Sequence, residues 1–142
     1  MNIERRAPLV AGLEDTATSA FARDGFVVVR GVVPPEELEP LRALYDRLFE
    51  SRAGWERGDL FDMLDPEDRF DRPRLPQLAW PSRQAPWLSN TATWRNAQAA
   101  ASSLVPGAEL VWEFAIMKPP RDGAATPWHQ DEASFTVGTP YQ

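Results

Sequence analysis

Apolar positions recur at helical spacing in two stretches of the chain and alternate in a third. In the first stretch Leu38, Leu41, Leu44, Tyr45 and Leu48 fall on one stripe, the pattern of a helix with one core-facing side. Pro35-Glu36-Glu37 opens it, placing proline and carboxylates where a helix N-terminus favours them. In the second, Thr91 to Leu104 sets Trp94, Ala97, Ala101 and Leu104 on one face, and Pro106-Gly107 ends the run. The third, Glu109 to Lys118, puts Leu110, Trp112, Phe114 and Ile116 on one side and Val111, Glu113, Ala115 and Met117 on the other. That period of two predicts a strand. Pro119 to Gly123 reads as a turn, and Thr126 to Val137 as extended chain again.

Weaker signals fill the remainder. Asp15 or Thr16 caps a short helix to about Arg23, with Asp24-Gly25 as its stop. Phe26-Val27-Val28-Val29 is a β-branched run of strand length, expected to be buried on both faces. From Ser51 to Pro86 regularity fades: Pro66, Pro73, Pro76, Pro81 and Pro86 punctuate a stretch that also holds Trp55, Phe61, Phe70 and Trp80. The expectation is a long ordered loop over a core or a pocket, its aromatics packing against the helices or serving binding. No internal repeat or low-complexity tract is present. Helices come first and strands after, so the expected class is α+β.

Length and charge narrow the picture. At 142 residues with 43% hydrophobic content, one domain spanning 1–142 with its own core is expected. The formal net charge of -6 disfavours phosphate backbones and anionic lipid surfaces, so no nucleic acid and no membrane is expected as a partner. The absence of cysteine excludes disulfides, thiolate metal sites and cysteine nucleophiles. The apolar stretch from Ala7 to Leu13 is broken by Pro8 and Gly12, too short to span a bilayer and a poor signal peptide. The chain is therefore expected to be soluble and cytoplasmic.

The candidate chemistry lies near residue 130. His129 is the sole histidine, within Thr126-Pro127-Trp128-His129-Gln130-Asp131-Glu132. In extended chain, residues i and i+2 project to the same side, so His129 and Asp131 can address one centre. An imidazole and a carboxylate so placed are two corners of a 2-His-1-carboxylate triad, a ligand set suited to Fe(II) that leaves coordination positions open. The bland alternative is a polar surface histidine.

Ala115-Ile116-Met117-Lys118-Pro119-Pro120-Arg121-Asp122-Gly123, followed by Thr126 to Glu132, resembles the metal-site signature of the phytanoyl-CoA dioxygenase family. Phe21 to Val33 is similar to that family's opening helix and strand, and Pro35-Glu36-Glu37-Leu38 to the helix start that follows. The resemblance implies a double-stranded β-helix, a jelly-roll or cupin-like barrel, preceded by N-terminal helices and incomplete in this chain. It implies Fe(II) and 2-oxoglutarate as cofactors and hydroxylation of a small organic or acyl substrate. Residue by residue, His129 and Asp131 match the first two iron ligands, while Met117 and Gln130 match positions beside the 2-oxoglutarate pocket. Lys118 is a further cofactor candidate, although it should point away from Met117. Trp128 and Phe135 are candidates for substrate contact; core packing is the alternative for both, and for Trp112. The carboxylate at Asp131 favours hydroxylation over halogenation, because related halogenases lack it.

The family's distal histidine and the group that clamps the 2-oxoglutarate carboxylate lie downstream of the His-x-Asp pair, and this sequence offers no second histidine. The expectation is a C-terminally truncated domain, a split-gene half or a degenerate relative, inactive in isolation. Glu132 or Glu113 is a conceivable third ligand. A C-terminal half, or self-association through an open sheet edge, is the expected protein partner. The competing readings are a non-catalytic binding module of the same fold and a small independent divalent-metal binder.

Overall fold

The computed structural model describes residue 13 and residues 15–65, 73–120 and 125–129. Four helices and one small sheet make an α+β arrangement: α1 (Asp15–Asp24), α2 (Pro35–Glu50), β1 (Leu60–Asp62), β2 (Pro76–Ala79), α3 (Pro81–Gln84), α4 (Ala92–Leu104) and β3 (Phe114–Ile116). Two 3-10 turns, Trp55–Arg57 and Pro86–Asn90, lie between them. The sheet is antiparallel with order β1-β2-β3, so among the described residues β1 and β3 are its edges.

The core forms where α2 meets the sheet. Leu44, Leu48 and Phe49 of α2 pack with Leu60 of β1, Leu78 of β2, Ala85 and Leu88. Leu60 pairs with Leu78, and Leu78 with Ala115, so these three residues share the helix-facing side of the sheet. Leu60 and Leu78 are 1% and 0% exposed. The helix stripe read from the sequence thus finds its partner, and only Leu38, near the start of α2, remains outside at 48% exposure.

That partner is the first correction. The segment from Ser51 to Pro86 is no loop over a core; it contributes two of the three strands and the two most buried leucines. Strands of three and four residues are too short to display a period of two, and the inward burial of Pro76, Gln77 and Leu78 erases the alternation further. The prolines sit where a strand or helix tolerates them: Pro76 begins β2, and Pro81 occupies the first turn of α3. Trp80 joins those two elements at φ 53, a left-handed conformation costly for a bulky residue, above all before proline. Its N–H is held by the Glu113 carbonyl at 3.0 Å.

Asp62 closes the β1–β2 connection. Its buried carboxylate accepts from the N–H groups of Leu64 at 2.9 Å, Arg74 at 2.6 Å and Leu75 at 3.1 Å. Both ends of the intervening loop are thereby pinned to one side chain, satisfying donors that would otherwise be orphaned.

The run Phe26 to Val29 is not a buried strand. Exposed and half-buried positions alternate through it, but Phe26 and Val28 are 68% and 70% exposed. A ladder needs a neighbour's N–H and C=O groups, and no described strand lies beside this one. The strand expected over Glu109 to Lys118 shortens to Phe114–Ile116, with Val111 exposed as well. Glu113, Ala115 and Met117 are half-buried, whereas Trp112, Phe114 and Ile116 are 60%, 41% and 56% exposed. Trp112 therefore fills no core here. Its ring lies 5.2 Å from Phe114 and 6.4 Å from Trp80, forming a tilted aromatic ledge that Arg83 extends by stacking over Trp80 at 4.7 Å.

Helix α4 is also rotated from its expected face. Its buried residues are Asn96 and Ala100, not the Trp94-Ala97-Ala101 stripe. Asn96 donates from Nδ2 to the Val32 carbonyl at 3.0 Å, so the inward face is chosen by a hydrogen bond to the chain entering α2.

Candidate metal centre

Residues on either side of the Pro-Pro turn are brought together by one contact. The Lys118 Nζ donates to Thr126 Oγ1 at 2.5 Å, tethering the end of the β3 segment to the stretch that carries His129. Lys118 is exposed, whereas Met117 is half-buried against the α2–sheet core and donates its N–H to the Pro76 carbonyl at 3.0 Å. The two neighbours thus point apart, as their alternation requires. Lys118, not Met117, has the direct link to the histidine-bearing stretch.

His129 is exposed, and its Nδ1 lies 2.8 Å from the Pro127 carbonyl. A carbonyl oxygen can only accept, so this bond requires the proton on Nδ1, and in the neutral tautomer it selects, the ring lone pair belongs to Nε2. A backbone carbonyl orienting one imidazole nitrogen is a feature of the histidines that ligate metals through the other. The donor chemistry at His129 therefore fits a divalent iron. Asp131, its proposed partner, lies outside the described residues, as do Gln130, Glu132 and Phe135.

Two other candidates are placed firmly. Trp128 is 105% exposed, so among the described residues it is no part of the α2–sheet core. Glu113 is turned away from this region, its Oε1 accepting from the N–H of Ser82 at 3.0 Å and from the Ser82 hydroxyl. It is engaged in fixing α3 and is unsuited to serve as a third ligand. Among the described residues no three His, Cys, Asp or Glu side chains gather to hold a metal. Thr126 stands in the motif read from the sequence but receives no role there; the structure gives it the bond to Lys118.

The sequence profile of the phytanoyl-CoA dioxygenase family matches residues 21–141. The chain belongs to that family, and the family relationship is to oxygenases of the Fe(II)/2-oxoglutarate type. No curated protein and no solved structure matches it. Among the described residues no helix is long and apolar enough to cross a membrane.

Proposed function

We propose that the chain is the iron-binding, N-terminal portion of a non-haem Fe(II)/2-oxoglutarate-dependent hydroxylase acting on a small organic or acyl substrate. The observation that carries the reading is the oriented imidazole of His129 inside the family's His-x-Asp motif. His129 and Asp131 would hold the metal, and Lys118, tied to the same stretch through Thr126, would offer a cation to the carboxylates of 2-oxoglutarate. Gln130 and Met117 are proposed beside the cofactor, and Trp128 and Phe135 toward the substrate. When bound there, the iron would supply the oxygen-activating chemistry that couples 2-oxoglutarate decarboxylation to substrate hydroxylation.

The sheet β1-β2-β3 is proposed as part of the family's barrel. With one histidine in 142 residues, the second imidazole of a full triad would have to come from other polypeptide. These residues alone would then bind iron weakly and release no succinate. Anaerobic addition of 2-oxoglutarate to the Fe(II)-loaded chain tests the cofactor assignment. The weak visible charge-transfer band of the chelate is expected, and its absence at saturating metal would count against this reading.

A second reading, a non-catalytic module of the same fold, is favoured by the exposure of Trp112, Phe114 and Ile116 along the β3 segment. A surface of this kind invites a C-terminal half or a second copy of the chain. Succinate release after addition of a histidine-bearing C-terminal half would decide for the enzyme.

A further inference from the structure

An open cavity of about 570 Å³ lies between α2, α4 and the chain leading into β3, within the range that accommodates small organic molecules. The stripe that the sequence marks as core-facing, Trp94, Ala97 and Ala101, lines this cavity together with Leu41 of α2 and Leu110. Ala97 and Ala101 are exposed and Leu110 is 55% exposed, so apolar walls are present with no side chain between them.

The charged residues that line the cavity, among the described residues, are of one sign. Glu109 and Glu113 line it, and no lysine or arginine does. Glu113 is half-buried, and both bonds from Ser82 fall on Oε1; no described residue donates to Oε2. Tyr45 also lines it. Burial and then the charge of Glu113 push its ionisation up, so at neutral pH it remains an uncharged phenol able to donate or accept. A half-buried carboxylate with one oxygen to which no described residue donates favours a charged donor, and two acids lining one cavity disfavour an anion.

We propose that this cavity binds an organic cation, an amine with an apolar body, its ammonium group against Glu113 and its body against Trp94, Ala97 and Leu110. The site is separate from His129 and requires no metal. It can be tested on the full chain in chelator-treated buffer with three probes of similar bulk: 2-phenylethylamine, 2-phenylethanol and phenylacetate. Calorimetry should give saturable binding of the amine, about tenfold tighter than the alcohol, as a charge-assisted hydrogen bond supplies, and no binding of the acid. Glu113→Gln retains an acceptor for Ser82 and should reduce the amine to the affinity of the alcohol. Ala97→Trp, at an exposed helix position, should fill the space and remove binding of both while the circular dichroism stays helical. Equal affinity for amine and alcohol, binding of phenylacetate, unaltered binding in Ala97→Trp, or no saturable amine binding would each overturn the proposal.

Discussion

Glu37 and Thr93 join the two principal helices: the Glu37 carboxylate, in the first turn of α2, accepts from the Thr93 N–H at 2.8 Å and its hydroxyl at 2.7 Å. The same carboxylate accepts from the Ala92 N–H at 2.7 Å, and Thr91 Oγ1 accepts from Trp94 at 3.1 Å. The exposed donors of the first turn of α4 are therefore satisfied by one local cap and one distant carboxylate. Because α4 forms one wall of the cavity and α2 carries the core stripe, this bond fixes the relation between them.

Partial burial alone would raise the pKa of Glu37, but the Thr93 hydroxyl, the Thr93 and Ala92 N–H groups and the Arg95 charge together outweigh it and hold the carboxyl below its ordinary value. A lowered folded-state value means that its contribution is complete above the ordinary carboxylate range and is lost as pH falls through the folded value. Glu37→Ala should cost about 1 kcal/mol at neutral pH, and the difference from the parent should shrink on acidification. Urea unfolding at several pH values measures this; a difference that grows toward low pH would contradict it.

Leu78 and Leu60 should be the most sensitive apolar positions, being the least exposed and facing each other across β1 and β2. Leu78→Ala should lose about 3 kcal/mol, the range for large-to-small changes in a closed core. Trp128→Ala, at a fully exposed ring, should change stability by less than about 0.5 kcal/mol. Denaturant midpoints compare the two, and a Trp128 variant as unstable as the leucine variant would show that the ring is covered.

The contrast between these positions follows what the sequence could express. α2 and α4 are legible because proline, acids and Thr91 mark their starts and long apolar stripes sustain a helical period. β1 and β2 are illegible because their few residues are buried without alternation, and because Asp62, which closes their connection, resembles any surface carboxylate until its three donors are seen. Phe26 to Val29 misleads for the opposite reason: β-branched residues express a preference for extended chain, but only a neighbouring strand makes a sheet. The face of α4 was obscured by Asn96, a polar residue whose burial depends on the Val32 carbonyl. His129 stood out by being alone, whereas the atoms that orient its stretch, Pro127 O and Thr126 Oγ1, belong to residue types that carry no such signal.

The exposed side chains of the β3 segment give a solution prediction. Trp112 and Ile116 are more than half exposed, and a contiguous apolar surface on an edge strand promotes association. Light scattering should show the purified chain larger than a monomer, and Trp112→Ser with Ile116→Ser should shift it toward monomer. A parent chain that is monomeric at high concentration would remove the proposed self-association.

The metal assignment is tested most directly by anaerobic calorimetry with Fe(II) on the parent chain, His129→Ala and Asp131→Ala. His129 is exposed and lies outside the α2–sheet core, so its replacement should leave the fold intact and the comparison interpretable. The account predicts weak, stoichiometric binding by the parent and none by either variant, with unchanged circular dichroism in all three. Binding that survives either substitution would contradict it.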